Sequence, residues 1–383
     1  MNDFIITSLQ SWDSTFGGNA KDIACELSLQ NRVLYVNPAV TKNKERKKTF
    51  LRNIHKNLWV LDCALPLFPV NFLPDGILFD TFNQSNNKRL FHEINKQIKK
   101  LNFRKVIHFC DNDVYRSFYA REFLDASIYI YYRRDNLHPI KYWSRHIKRL
   151  EPIIIQKNDI VMCNSAELAE YASPYKSTSL IFDIGQGVDL SSYRKDINYT
   201  LPIDCKHIPH PIIGYMGALT ATRLDIELLY YLAEKRPQYS FLFIGQQDDT
   251  FLNHSLNTLS NVYFLGLKPM EQMPMYTNLM DVCLNPQILN EVTIGNYPRK
   301  VDEYLAMGKP VIATHTNTMK QFKDYVYLCA SPKEYIEAID DALTNPPLNI
   351  QEKRIAFAHT HSWKHCIDKI YKAIETYETT KSL

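Results

Sequence analysis

The sequence lacks several features that would place a function class at once. None of its eight cysteines forms a Cys-x-x-Cys pair, which disfavours a thiolate zinc site. Those inside apolar runs read as small hydrophobes. The N-terminus, MNDFIITSLQ, has neither a basic leader region nor a long apolar core, so no secretory signal is expected. The most apolar stretch, residues 61–82, carries Asp62, Asp75, Asp80 and three prolines, which excludes a transmembrane helix. The reducing cytoplasm is the expected compartment. There is no low-complexity run and no short-period repeat. No Gly-x-Gly-x-x-Gly follows the first strand-like run, which argues against a dinucleotide-dependent oxidoreductase. A net charge of +4 over 383 residues makes no case for nucleic acid.

What is present is a globular composition, 45% apolar and 22% charged, long enough for two domains. Charge is uneven. Residues 42–157 hold 23 Lys and Arg against 11 Asp and Glu, a net of +12, so the first half presents a basic surface suited to polyanions or an anionic membrane face. Short Val-, Ile-, Tyr- and Phe-rich runs (FIITSL, RVLYVNP, LWVLDC, KVIHFCD, SIYIYYR, DIVMCNS, TSLIFDIG) alternate with amphipathic stretches at 19–30, 88–101 and 141–157. That alternation predicts a parallel sheet covered on both faces. Around the prolines of 191–211 it lapses, then restarts with PIIGYMGAL, a helix over 225–236, YSFLFIGQ, VYFLGL, a helix over 270–278, DVCLNP, a helix near 299–307 and KPVIATH. The expected fold class is α/β, with two doubly wound, Rossmann-like domains facing a cleft. The expected domains are 1–195, 206–350, and helices over 351–383 returning to the first domain. In that tail Trp363, Cys366, Ile367, Ile370, Tyr371 and Ile374 share one helical face.

The stretch most suggestive of chemistry is YPRKVDEYLAMGKPVIATHT, residues 297–316. Pro298 opens a helix whose N-terminal N–H groups, with Lys300, can hold phosphate. Glu303, one turn on, can accept two hydroxyl hydrogen bonds from a ribose. The competing reading is an intrahelical Lys300–Glu303 ion pair on a solvated face.

This stretch resembles the donor-nucleotide motif of GT-B glycosyltransferases of the family-4-like group (group 1). GYMGALTATRLD at 214–225, FLFIGQ, VYFLGL, DVCLNP, GVD at 187–189 and SWDSTFGGN at 11–19 resemble that family's other landmarks in order. The tail around Trp363 resembles its C-terminal helix crossing back to the first domain. The resemblance implies an enzyme that moves a sugar from a nucleotide-diphospho-sugar to a glycan or lipid-linked acceptor, with no metal and with retained configuration. It implies a donor site of Gly217, Arg223, Thr293, Asn296, Lys300 and Glu303, with Gly17 and Gly18 in the glycine loop. Arg223 and Lys300 would steady the leaving diphosphate; either Glu291 reaches the sugar from a longer loop or the Thr293–Asn296 backbone serves instead. The sequence departs from the family where Gly295 replaces the first glutamate of a Glu-x7-Glu pair and where Ala218 replaces a basic residue.

Residues just past the strands come next. Arg133, Arg134 and Asp135 are expected to face the cleft, with Asp135 orienting or deprotonating the acceptor hydroxyl; a loop ion pair is the alternative. His108 reads as a core histidine. The basic stretch 42–57, the apolar loop 65–79 and the cations Lys96, Lys99, Lys100, Arg104 and Lys105 together suggest a seat on an anionic inner leaflet. A surface-polysaccharide glycosyltransferase, cytoplasmic and peripheral on the membrane, is the leading expectation. A nucleotide-sugar epimerase of the same fold and a degenerate, non-catalytic glycan or partner binder are the alternatives.

Overall fold

The computed structural model describes residues 1–14, 18–39, 49–65, 67–291, 293, 295 and 297–382. Gly17, Asn296 and the basic run 42–48 lie outside the described residues. The chain divides into two compact units, Met1–Gly185 with Trp363–Leu383, and Gln186–Ser362.

Unit 1 is built on eight strands: β1 (Asp3–Ser8), β2 (Arg32–Val36), β3 (Phe50–His55), β4 (Leu58–Asp62), β5 (Val106–Asp111), β6 (Ile128–Arg133), β7 (Ile160–Cys163) and β8 (Ile181–Asp183). Their order is β3-β4-β2-β1-β5-β6-β7-β8, and every pair is parallel except β3 with β4. Strands β1, β5, β6 and β7 are buried along their whole length, which is why they read as unbroken apolar runs. Side-chain alternation divides them between two cores. Phe4, Ile6, Ile107, Phe109, Ile130 and Tyr132 face one side. Covering that side are α1 (Asn19–Leu27) and the chain's last helix, α13 (Trp363–Ser382), through Trp363, Ile367, Ile370 and Ile374. Asn31 donates to the Tyr371 hydroxyl at 2.7 Å and the Tyr377 hydroxyl to Asp159 at 2.8 Å. The expected return of the last helix to the first domain is therefore met. The other side is covered by α2 (Ile77–Lys100), the short α3 (Val114–Ser117) and α4 (Ala120–Phe123), α5 (Ile147–Lys157) and α6 (Ala166–Ala172).

Two stretches differ from expectation. Residues 50–55 form an antiparallel edge strand rather than part of a free basic arm. Its Arg52 is committed to Asp62 and Asp13, both at 2.7 Å. Helix α2 begins eleven residues before the expected 88, so Ile77–Phe79 of the apolar loop are its first turn.

Unit 2 carries β9 (Ile212–Met216), β10 (Ser240–Ile244), β11 (Val262–Phe264), β12 (Val282–Asn285), β13 (Val311–Thr314) and β14 (Tyr327–Cys329), all parallel, in the order β11-β10-β9-β12-β13-β14. Its helices are α7 (Ile226–Lys235), α8 (Asp249–Leu252), α9 (Met273–Leu279), α10 (Arg299–Ala306), α11 (Pro332–Thr344) and α12 (Ile350–His359). Caps define their starts. The Asp225 carboxylate accepts from the Leu228 N–H at 2.9 Å to open α7. At α11 the Ser331 hydroxyl accepts from the Glu334 N–H at 3.3 Å and the Glu334 carboxylate accepts from the Ala330 N–H at 2.8 Å, with Pro332 in the first turn. Helix α12 packs on α10, so residues 351–362 belong with unit 2 and only α13 returns.

Candidate functional site

In unit 2 the sheet order reverses between β9 and β12, and ligands of doubly wound sheets bind at the carboxyl ends of strands at such a point. Gly217 follows β9 there with φ of +138°. A Cβ on it would stand 2.6 Å from Lys300 Nζ and 3.0 Å from the Tyr215 hydroxyl. Gly245, after β10, has φ of +148°, and its Cβ would come within 1.9 Å of the Gly217 carbonyl oxygen. Only glycine fits at either position.

Helix α10 brings Lys300 and Glu303 to this edge. It opens after Pro298, whose ring supplies no side-chain cap. The competing Lys300–Glu303 ion pair does not form among the described residues. Lys300 Nζ donates to the Tyr215 hydroxyl and lies 4.0 Å from the centre of that ring. Burial pushes the Glu303 carboxyl above the ordinary glutamate value, while Arg299, the nearby Tyr193 hydroxyl and Lys300 pull it back only in part. A cation over an aromatic ring, a carboxylate one turn along and the start of a helix can together hold a diphosphate and a diol.

The other face of the same helix turn carries residues that the sequence reading missed. Asp302 is fully buried. It accepts from His361 Nδ1 at 2.7 Å on one oxygen and from the Tyr297 hydroxyl at 2.7 Å on the other. Burial raises its carboxyl above the ordinary aspartate value against these hydrogen bonds. The His361 carbonyl in turn accepts the Val188 N–H at 2.9 Å. The start of α10 is thus tied to the segment that closes unit 2. Asp302 and Tyr297 lie in the motif, whereas His361 is 59 residues from Asp302.

The remaining donor-site expectations fall as follows. Arg223 is exposed and makes no ion pair among the described residues; its backbone carbonyl accepts from Ile288 N–H at 3.0 Å. Thr293 is buried and serves its own loop: its N–H goes to Asn290, its hydroxyl to the Ile288 carbonyl, and its carbonyl accepts from Gln287 Nε2 at 2.7 Å. Both its N–H and its carbonyl are thus engaged within the loop. Glu291 is exposed on the same loop, and Gly295 is buried with φ of +77°.

In unit 1 the reversal lies between β1 and β5. Arg133 does not face solvent. Strand alternation turns it inward with Tyr131, where its Nε meets Glu151 at 2.9 Å and its guanidinium lies 4.1 Å from the Tyr171 ring centre. Burial alone would raise Glu151, but His138 and Arg133 outweigh it and leave the carboxyl below its ordinary value. Arg134 bridges Asp111 at 2.7 Å and Asp135 at 2.6 Å, and Asp111 accepts from Ser8 at 2.6 Å. Asp135 is the exposed member of this cluster. The loop ion pair and an accessible carboxylate are therefore both present. Gly18 is extended, and the space over its Cα is filled by the Gln10 side chain. His108 is a core residue: burial pushes it down to about 3, and its Nε2 meets the Thr7 hydroxyl at 3.0 Å.

Comparison with known proteins agrees with this geometry. Residues 210–345 match the family model described as glycosyl transferases group 1. A curated relative, the "Putative teichuronic acid biosynthesis glycosyltransferase TuaH" of Bacillus subtilis (strain 168), is 27% identical over 244 residues. The match spans 59% of this chain and 59% of that protein, about three fifths of its length. Among solved structures, sucrose-phosphate synthase from Thermosynechococcus elongatus superposes with a TM-score of 0.70 at 15% identity, over 99% of this chain and all of that one. Anabaena Alr3699/HepE, in complex with UDP, gives 0.64 at 16% identity over the full length of both chains. These structures establish the fold, which is GT-B, and it is in unit 2, over residues 210–345, that the chain is similar to the glycosyl transferases group 1 model.

Proposed function

We propose that the protein is a glycosyltransferase that moves a sugar from a nucleotide-diphospho-sugar to a lipid-linked or glycan acceptor in cell-surface polysaccharide assembly, with retention and without a metal. The observation that carries the reading is Lys300, held over Tyr215 beside Gly217 at the start of α10, with Glu303 one turn along. In the reaction the bond from the anomeric carbon to the diphosphate breaks, and the leaving oxygen keeps the electron pair. The acceptor oxygen forms the new bond on the face that the diphosphate leaves, and its proton passes to the departing diphosphate. Charge builds on the diphosphate as the bond breaks, where Lys300, Arg223 and the α10 N–H groups stabilise it. Glu303 accepts from the ribose hydroxyls, and Glu291 meets the transferred sugar. Asp135 is assigned to the acceptor hydroxyl. The teichuronic acid relative supports a surface polysaccharide as the product class.

The test is thermal denaturation against UDP-, GDP-, ADP-, dTDP- and CMP-sugars, with and without EDTA. A hundredfold excess of the right donor over its dissociation constant adds about 2.7 kcal/mol. One nucleotide should raise the melting temperature regardless of EDTA, and Glu303→Ala should abolish that rise while the protein stays folded. No rise with any donor, or an undiminished rise in Glu303→Ala, removes this assignment.

A further inference from the structure

Eighteen large apolar side chains are exposed among the described residues, and six of them (Phe68, Phe72, Ile77, Leu78, Ile140 and Tyr142) belong to two segments of unit 1. The segments are tied together. Arg145 donates to the carbonyl oxygens of Phe72 at 2.7 Å and Leu73 at 3.3 Å. Arg149 pairs with Asp75 at 2.7 Å and Asp80 at 2.9 Å, and His146 meets Asp75 at 3.0 Å. Tyr115, packed against Phe79, donates to the Tyr142 carbonyl at 3.3 Å. Sequence reading had no means of joining 68–78 to 140–148.

The composite surface has two properties. Its apolar members stand clear of the body: Phe72 is 74% and Ile77 86% exposed. Its cations have no carboxylate partners. Lys141, Arg145 and Lys148 are exposed, and none of them pairs with a carboxylate among the described residues. The two local carboxylates, Asp75 and Asp80, are both answered by Arg149. We infer that this surface seats on an anionic lipid bilayer, with Phe72, Ile77 and Leu78 entering the headgroup region and Lys141, Lys148 and the charge of Arg145 against the phosphates. Exposed cations without counter-charges beside protruding apolar side chains suit a charged lipid interface better than a protein partner, which would have to match those cations one by one. The inference rests on the lipid-linked acceptor proposed above and gives it a location. It also divides the membrane expectation, because Lys99 and Lys100 lie at the far end of α2. A helix of 24 residues is about 36 Å long.

Co-sedimentation with equimolar phosphatidylglycerol–phosphatidylcholine vesicles, against pure phosphatidylcholine, tests this. The wild type should bind the anionic vesicles, more weakly as salt is raised. Phe72→Ser with Ile77→Ser should lower partitioning by about tenfold or more. Lys141→Glu with Lys148→Glu should lower it by about fivefold per charge. Both variants should keep the donor-induced melting shift, which needs no vesicle. Failure of the wild type to bind, or unchanged partitioning in both variants, overturns the inference. So does self-association of the wild type that Phe72→Ser abolishes. Vesicle binding without any donor shift would instead refute the glycosyltransferase reading and leave the membrane surface standing.

Discussion

Removing the Asp302 carboxylate measures how far the start of α10 depends on its buried tether. Asp302→Ala removes the acceptor that holds the His361 ring N–H and the Tyr297 hydroxyl, each at 2.7 Å, and leaves those two groups, 3.1 Å apart in the native protein, to pair with each other. A buried donor without a partner costs about 1–3 kcal/mol, and one donor position is lost from this triad. Both partners are only part-buried, so water recovers some of this, and burying Asp302 was itself unfavourable. The net loss should therefore be about 1–2 kcal/mol. For a unit of this size, each kcal/mol lowers the melting temperature by about 2–4 °C. A fall of about 2–8 °C is expected in calorimetry, together with a smaller donor-induced shift, because Lys300 and Glu303 ride on the loosened turn. The pH dependence has a definite sign. The folded carboxyl titrates above the unfolded one, so its contribution is complete below the ordinary aspartate value of 3.8 and is lost as pH rises through the folded value. Asp302→Asn does not titrate, so the wild type's advantage over it should shrink from acid to neutral pH. A melting temperature of Asp302→Ala within about 1 °C of wild type would refute the argument, since it would mean the lost acceptor costs nothing.

Gly217→Ala should destabilise by about 1–3 kcal/mol through its φ of +138° and displace Lys300, which a Cβ would meet at 2.6 Å. Isothermal titration should then show weaker donor binding, and wild-type affinity would place Lys300 elsewhere. Glu151→Ala should cost about 3–5 kcal/mol in denaturant unfolding, because it leaves the Arg133 charge buried without its partner. Glu151 is held below its ordinary value of 4.5, so its contribution is present above that value and lost as pH falls through the folded one. The deficit of Glu151→Ala should therefore shrink in acid, and a deficit independent of pH would count against the pair.

The strands that were legible in the sequence are those buried on both faces, where most positions are apolar or aromatic, as in β5 and β6. Strand β3 was not, because it is an edge with most positions exposed and a cation at Arg52. Helix α12 falls within the expected helices of 351–383, but the unit it joins was not legible: only Arg354 and Ala358 are buried along it, so no apolar stripe marks its packing face. The pair Lys300 and Glu303 was legible because helical spacing is local, yet spacing alone could not say which partners they take. The hydroxyl that Lys300 takes, on Tyr215, comes from a strand 85 residues distant, through the sheet. Parity puts Arg133 on the face of β6 that carries Tyr129 and Tyr131, but both faces of that strand are buried, so parity alone does not tell core from cleft. The choice of partner bears on binding. Had Lys300 paired with Glu303, a phosphate would have to break an ion pair before it reached the cation. Held instead by the Tyr215 hydroxyl, Lys300 can exchange a neutral partner for a ligand oxygen, and the freed hydroxyl can turn to water.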